Sequence, residues 1–265
     1  MKTLKIDLDR DIEQLKILPI SDVHLGDPLS DKELLKKRID YIKDNKDVYT
    51  ILNGDLMNVA LRNSVSDVYG EKLKPMQQLQ LASDLFHPIK NKILCITDGN
   101  HEARVYKNDG IDLSKLLAME LDLKDRYSES SCFIFLRFGE KYNGHKESNG
   151  SGKIRKICYT IYTTHGRGGG RKEGAKAIRL ADMASIVDAD IYIHSHTHLP
   201  MIMKQEFYRV DIQNNYVASV PKLFVNTAAH LNYGGYGEIY EYKPSSKDTP
   251  IIYLNGKSKE FTARL

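Results

Sequence analysis

Five short apolar runs in this chain each stop at a polar loop carrying Asp, Asn or His, and that recurrence constrains the fold more than any other feature. Residues 15–20 (LKILPI) end at Ser21-Asp22-Val23-His24, 48–52 (VYTIL) at Asn53-Gly54-Asp55, and 93–97 (ILCIT) at Asp98-Gly99-Asn100-His101-Glu102. The run 157–164 leads into His165-Gly166-Arg167, and Ile191-Tyr192-Ile193 opens into His194-Ser195-His196-Thr197-His198. Runs rich in β-branched and aromatic residues, bounded by turn signals, read as buried strands. Between the first three lie segments with apolar residues at helical spacing. Residues 30–45 carry Leu34, Leu35, Ile39 and Ile42 behind a capping box Ser30-Asp31-Lys32-Glu33. Residues 72–86 carry Leu73, Met76, Leu79, Leu81 and Leu85. Repeated strand, loop and helix imply β-α units, in which functional groups gather beyond the carboxyl ends of the strands.

Later in the chain, helices are expected over 112–121 and 172–187. The runs 132–138 and 157–164 read as a strand pair joined by a polar, Gly-rich loop, 139–156, whose lysines are candidates to face substrate. Beyond 201 the pattern turns to short antiparallel strands near 205–211, 215–219, 222–227, 237–242 and 250–254. No repeat, heptad or linker divides the chain, so residues 1–265 are expected to form a single domain.

With 41% hydrophobic and 28% charged residues among 265, the chain can bury a substantial core. A net charge of +4 suits an anionic substrate but does not by itself define a nucleic-acid binder. Cys95, Cys132 and Cys158 form no C-x-x-C pair and are odd in number, which favours free thiols in a reducing cytoplasm. The charge-interrupted N-terminus is not a signal peptide, and no apolar run is long enough to span a bilayer; no membrane partner is expected.

The side chains collected from the strand ends are Asp22, His24, Asp55, Asn100, His165, His196 and His198, with His101 beside them. Neutral imidazole is a good ligand for a borderline divalent ion. A His-rich pentapeptide alone is as often a surface loop, and Asp-x-His and Gly-Asp occur by chance. What counts is that every one of these residues follows an apolar run, in an order that lets them converge on one face.

In this order the motifs resemble the calcineurin-like metallophosphoesterases, whose pattern is D-x-H, G-D, G-N-H-[DE], an isolated His and G-H-x-H. The resemblance spans roughly residues 15–230 and departs at Ser195, where the family usually has Gly. It implies an α/β fold, a four-layer α/β/β/α sandwich of two mixed β-sheets flanked by helices. It also implies a two-metal site: Asp22, His24 and His198 on one ion, Asn100, His165 and His196 on the other, and Asp55 bridging. Two dications about 4 Å apart clamp a phosphoryl group and activate a bridging water as hydroxide. Nitrogen and oxygen ligands without thiolate favour manganese, with iron, zinc or nickel as alternatives to it and calcium disfavoured. His101 is implied as general acid or transition-state stabiliser, with Asp98 or Glu102 orienting it; Glu102 as a solvated carboxylate is the alternative.

The substrate is expected to be a phosphodiester in DNA, RNA or a nucleotide. The family's protein phosphatases follow Gly-Asp with Val-Asp-Arg-Gly, whereas this chain continues Gly54-Asp55-Leu56-Met57-Asn58. Arg167, Arg171 and Lys172 flank a Gly-rich turn beside His165, and Arg104 and Lys107 follow the third motif; a basic rim that holds phosphates is one reading of them, and solvated loop charges the other. A phosphomonoesterase on the same site and a catalytically silent scaffold are the alternatives, the latter set against by the retention of every ligand-type residue. Action on long DNA would call for a homodimer or partner.

Overall fold

The computed structural model describes residues 1–62, 64, 66–140, 155–168 and 170–265. In chain order the first half runs β1 (Lys2–Asp7), β2 (Gln14–Ile17), α1 (Lys32–Asp44), β3 (Val48–Asn53), α2 (Pro75–Phe86), β4 (Ile93–Thr97), α3 (Glu102–Asp109) and α4 (Leu113–Glu120). There follow β5 (Tyr127–Ser128), β6 (Ser131–Phe138), β7 (Ile157–Thr164), α5 (Glu173–Asp182) and β8 (Ile191–His194). The chain ends with β9 (Met201–Asp211), β10 (Tyr216–Asn226), α6 (Gly235–Ile239), β11 (Ile251–Asn255) and β12 (Phe261–Arg264).

Two mixed six-stranded sheets result, ordered β1-β6-β7-β8-β10-β9 and β12-β11-β2-β3-β4-β5. Their parallel centres, β7-β8-β10 and β2-β3-β4-β5, bring the carboxyl ends of these strands to one edge in each sheet. Side-chain alternation sorts the core into layers. Ile134 and Leu136 of β6, Ile191 and Ile193 of β8, and Leu15 and Ile17 of β2 fill the space between the sheets. Phe133 and Tyr192, on the opposite faces of their strands, pack with Leu180 and Met183 beneath α5. Leu35, Ile39 and Ile42 of α1, Leu79 and Phe86 of α2, and Leu117 of α4 cover the outer face of the second sheet. The α/β sandwich with helices on both outer faces is therefore present.

Several local expectations are corrected. Helix α1 is capped not by Ser30 but by Asp31, whose Oδ1 accepts from Leu34 N at 3.0 Å. The Ser30 hydroxyl instead donates to the Val23 carbonyl, which pins it to the Asp22 loop. The strands expected at 215–219 and 222–227 are one strand, β10. Pro221 lies inside it without breaking it because β10 pairs with β8 only over Leu223–Asn226, leaving Pro221 a strand neighbour on one side alone. The strand expected at 237–242 is the short helix α6, started by a turn at Gly234 and Gly235 (φ +146° and +52°). Helix α5 is shorter than expected and continues only as one 3₁₀ turn. The pairing of β6 with β7 holds; residues 141–154 of their connecting loop lie outside the described residues. All three cysteines are free, Cys95 and Cys132 buried and Cys158 half-buried. Among the described residues, no helix is long and apolar enough to cross a membrane.

Candidate metal centre

At the shared edge the backbone turns sharply after each strand. Asp22, His24, Asp55, His196 and His198 all have left-handed backbones, with φ between 51° and 67°. Asp and His tolerate this region better than most residues, yet each instance carries a cost of about 1–3 kcal/mol that the surrounding structure must offset. The turns interlock: the amides of Val23 and His24 both donate to the Asp55 carbonyl, at 2.8 and 3.0 Å. Glycine is required at 99, where a Cβ would lie 2.1 Å from the amide nitrogen of Asp55.

Three overlapping groups have ligand atoms within 4.8 Å of one another: Asp22 with His24 and His198, Asp55 with His165 and His196, and His24 with Asp55 and His101. Asp55 belongs to two of them, as a shared carboxylate must. Asn100 joins the second, its Oδ1 3.1 Å from His165 Nε2. The expected residues are therefore brought together at this edge, with His101 among them.

The donor chemistry fits divalent ions. Asp22 Oδ1 and His24 Nε2 are buried yet lack any hydrogen-bond partner. Asp22 Oδ1 does lie 3.1 Å from His198 Nε2, a close approach without hydrogen-bonding geometry. Unpaired buried polar atoms are costly, and two aimed at one spot mark a place for a cation. The other oxygen, Asp22 Oδ2, accepts from the Ser21 hydroxyl at 2.7 Å and the His196 amide at 3.3 Å, leaving Oδ1 for an ion. His165 Nδ1 donates to the Asn53 carbonyl at 2.8 Å, which turns Nε2 into the centre.

Charge balance follows the same lines. Burial opposes ionisation of Asp55, but His165 and His101 beside it hold its carboxyl well below the usual range. Burial likewise opposes protonation of His165, yet Asp55 Oδ2 at 3.1 Å prevails and pushes the imidazole up to about 10. Burial holds His24 well below the usual imidazole value and His196 down to about 4, so both are neutral, the form in which imidazole can bind an ion.

His101 sits with its ring edge-on to His24, centroids 4.3 Å apart. Its Nδ1 donates to the Asn58 carbonyl at 2.8 Å and its Nε2 lies 3.8 Å from Asp55 Oδ2. Neither expected acid orients it. Asp98 accepts from the Ser114 hydroxyl. Glu102 is neither solvated nor a partner of His101: it is buried and accepts from the amides of Asp55 at 3.1 Å and Met57 at 2.8 Å, so it clasps the Asp55 turn. Burial and the neighbouring Asp55 push it up to about 8.

The basic rim is only partly assembled. Arg104 Nη1 donates to Ser66 Oγ at 2.9 Å, Arg171 lies over the Tyr242 ring, and Arg167, Lys107 and Lys172 are exposed. The cation placed against the ligand loops is Lys176, whose Nζ donates to the Thr197 carbonyl, between His196 and His198, at 2.8 Å. Only its i+4 spacing from Lys172 marks it in the sequence. Ser195 needs no glycine freedom, since the left-handed residues are its neighbours; its buried hydroxyl accepts from Asn53 Nδ2 at 2.6 Å and Thr227 Oγ1 at 2.9 Å.

No curated protein matches. Among solved structures, a conserved uncharacterized protein from Streptococcus pneumoniae TIGR4, described as a predicted phosphoesterase, is 13% identical. The alignment covers 96% of this chain and 99% of that one, with a TM-score of 0.35. A family model for calcineurin-like phosphoesterases matches residues 15–200. That span opens on the strand before Asp22 and closes just beyond His198, taking in all of the convergent side chains, and the chain belongs to this family of metal-dependent phosphoesterases.

Proposed function

We propose that the protein hydrolyses phosphodiester bonds in nucleic acid or nucleotides, on a pair of divalent ions with manganese the preferred metal. Asp22, His24 and His198 hold one ion, Asn100, His165 and His196 the other, and Asp55 both. The observations that support the reading are the buried atoms Asp22 Oδ1 and His24 Nε2, which lack a hydrogen-bond partner and would face the first ion, and the separate Asp55, His165 and His196 group, which would hold the second. When bound, such ions supply Lewis-acid polarisation of the phosphoryl oxygens and acidify a water.

The chain's own part is orientation and proton transfer. With Nδ1 committed to Asn58, His101 presents Nε2 to the reacting group. Burial depresses its pKa; an anionic phosphoester drawn beside it favours the protonated form, which donates from Nε2 to the leaving oxygen. Support for a diester rests on the Asp55 loop, where Gly54-Asp55 continues into the buried Leu56 and Met57 rather than the Val-Asp-Arg-Gly run of the family's protein phosphatases. Arg104, Arg167, Arg171 and Lys176 are candidates to hold flanking phosphates.

The test is hydrolysis of bis-p-nitrophenyl phosphate against p-nitrophenyl phosphate after chelation and reconstitution with Mn²⁺, alongside His101→Ala. Diester preference, lost on chelation, is expected, and in His101→Ala the hydrolysis of a diester with a poor alkoxide leaving group, which depends on the proton donor, is expected to fall about 10²–10⁴-fold. Monoester preference would replace the reading by a phosphomonoesterase, and silence on both with no metal bound would leave a scaffold.

A further inference from the structure

The side chain of Gln78 is fully buried on α2, on the face that also carries Leu79, Ala82 and Phe86. A buried amide on an apolar helix face is costly unless fully paired, and this one is. Its Oε1 accepts from the Val59 amide at 2.9 Å, and its Nε2 donates to the Leu73 carbonyl at 2.8 Å and to Glu71 Oε2. The other oxygen of Glu71 accepts from Asn58 Nδ2 at 2.7 Å. Gln78 and Glu71 thus grip two successive residues, one by its main chain and one by its side chain.

What they grip is strained. Val59 is buried with φ +45°, a conformation that a β-branched residue avoids and that survives only where contacts enforce it. The same turn aims the Asn58 carbonyl at His101 Nδ1, 2.8 Å away. Gln78 also abuts the loop behind His24: a Cβ on Gly26 would lie 2.3 Å from its Nε2, and Gly26 has φ +110°.

We propose that Gln78, acting with Glu71 through the strained Asn58–Val59 turn, is a positioning residue that fixes the tautomer and direction of the His101 imidazole. Its side-chain hydrogen bonds go to Val59, Glu71 and Leu73, none of them a candidate ligand. Without its acceptor the Val59 amide is left buried and unpaired, the turn relaxes toward an ordinary backbone, and the Asn58 carbonyl swings from Nδ1. The role of His101 in the reaction rests on the reading above; its orientation does not.

The test uses Gln78→Met, with Glu71→Gln as the milder variant should the first fail to fold. In the metal-free protein, ¹⁵N–¹H correlation spectra of the imidazoles report which His101 nitrogen carries the proton. The wild type is expected to show a single form protonated at Nδ1, and the variants a mixture. With Mn²⁺ bound, hydrolysis of a diester with a poor alkoxide leaving group is expected to fall about tenfold, from misplacement of the donor, while a p-nitrophenyl ester changes little. Metal affinity stays unchanged, and the variant has no further effect in a His101→Asn background. An unchanged His101 tautomer, an equal loss on both esters, or the same loss without His101 would each overturn the proposal. Absence of diesterase activity altogether would count against the proposed function, and the spectra would still decide the orientation.

Discussion

His165 and Asp55 form a buried pair whose protonation an incoming dication has to undo. The His165 imidazole, pushed up to about 10, holds a proton at neutral pH that a metal must displace. Metal binding at pH 8 is therefore expected to release protons and to tighten as pH rises toward 10, which calorimetry in buffers of different ionisation enthalpy measures. The same shift links to stability with a definite sign. A folded pKa above the unfolded value of about 6.5 contributes stability that is complete below that pH and lost as pH rises through about 10. The unfolding midpoint of the metal-free protein is expected to fall across that window, and His165→Asn to flatten the fall. Ser21 offers a quieter test. Its hydroxyl donates to Asp22 Oδ2 at 2.7 Å, so Ser21→Ala is expected to weaken metal binding about 10–100-fold in a Mn²⁺ titration with little change in fold. The candidate ligands themselves were legible in the sequence because each closes an apolar run. Their partners were not: Glu102 at the Asp55 turn, Gln78 and the Asn58 carbonyl act through contacts across 19 to 47 positions, and no local pattern records those.

At the scale of elements, α2 carries both the core and the polar grip on the Asn58 turn. Phe86 is fully buried against the second sheet, and Phe86→Ala is expected to cost about 3–5 kcal/mol in denaturant unfolding, through lost transfer energy and the cavity left behind. Helices α1, α2 and α4 could be read from apolar periodicity, and the strands that end at the site from their β-branched runs. Elements without such a signature could not. Strand β1 alternates lysine and aspartate with its apolar residues, α3 is eight residues long and mostly polar, and α6 hides in a tyrosine-rich stretch whose alternation imitates a strand. Strand β10 runs through the two segments expected at 215–219 and 222–227 because Pro221 has a strand neighbour on one side alone, a circumstance that only the pairing with β8 reveals.

For the molecule as a whole, the two sheets must be completed by segments beyond the span of the family model. Strand β11 pairs with β2, and Ile252 and Leu254 are fully buried between the sheets. Ending the chain at residue 250 is expected to expose Leu15 and Ile17 and yield insoluble protein, a result that expression and sedimentation read directly. If the substrate is nucleic acid, binding should weaken steeply with salt as phosphate counterions are released, and a salt-independent affinity for DNA would restrict the substrate to small nucleotides. The left-handed turns at the shared edge have a further effect. Glutamate and cysteine are perfectly good ligands in isolation, but at φ between 51° and 67° the main chain favours Gly, Asn, Asp and His over other residues. The vocabulary of donors open to Asp22, His24, Asp55, His196 and His198 is thus restricted by backbone shape, and substitutions that conserve ligand chemistry but not turn preference should be lost before any ion is offered.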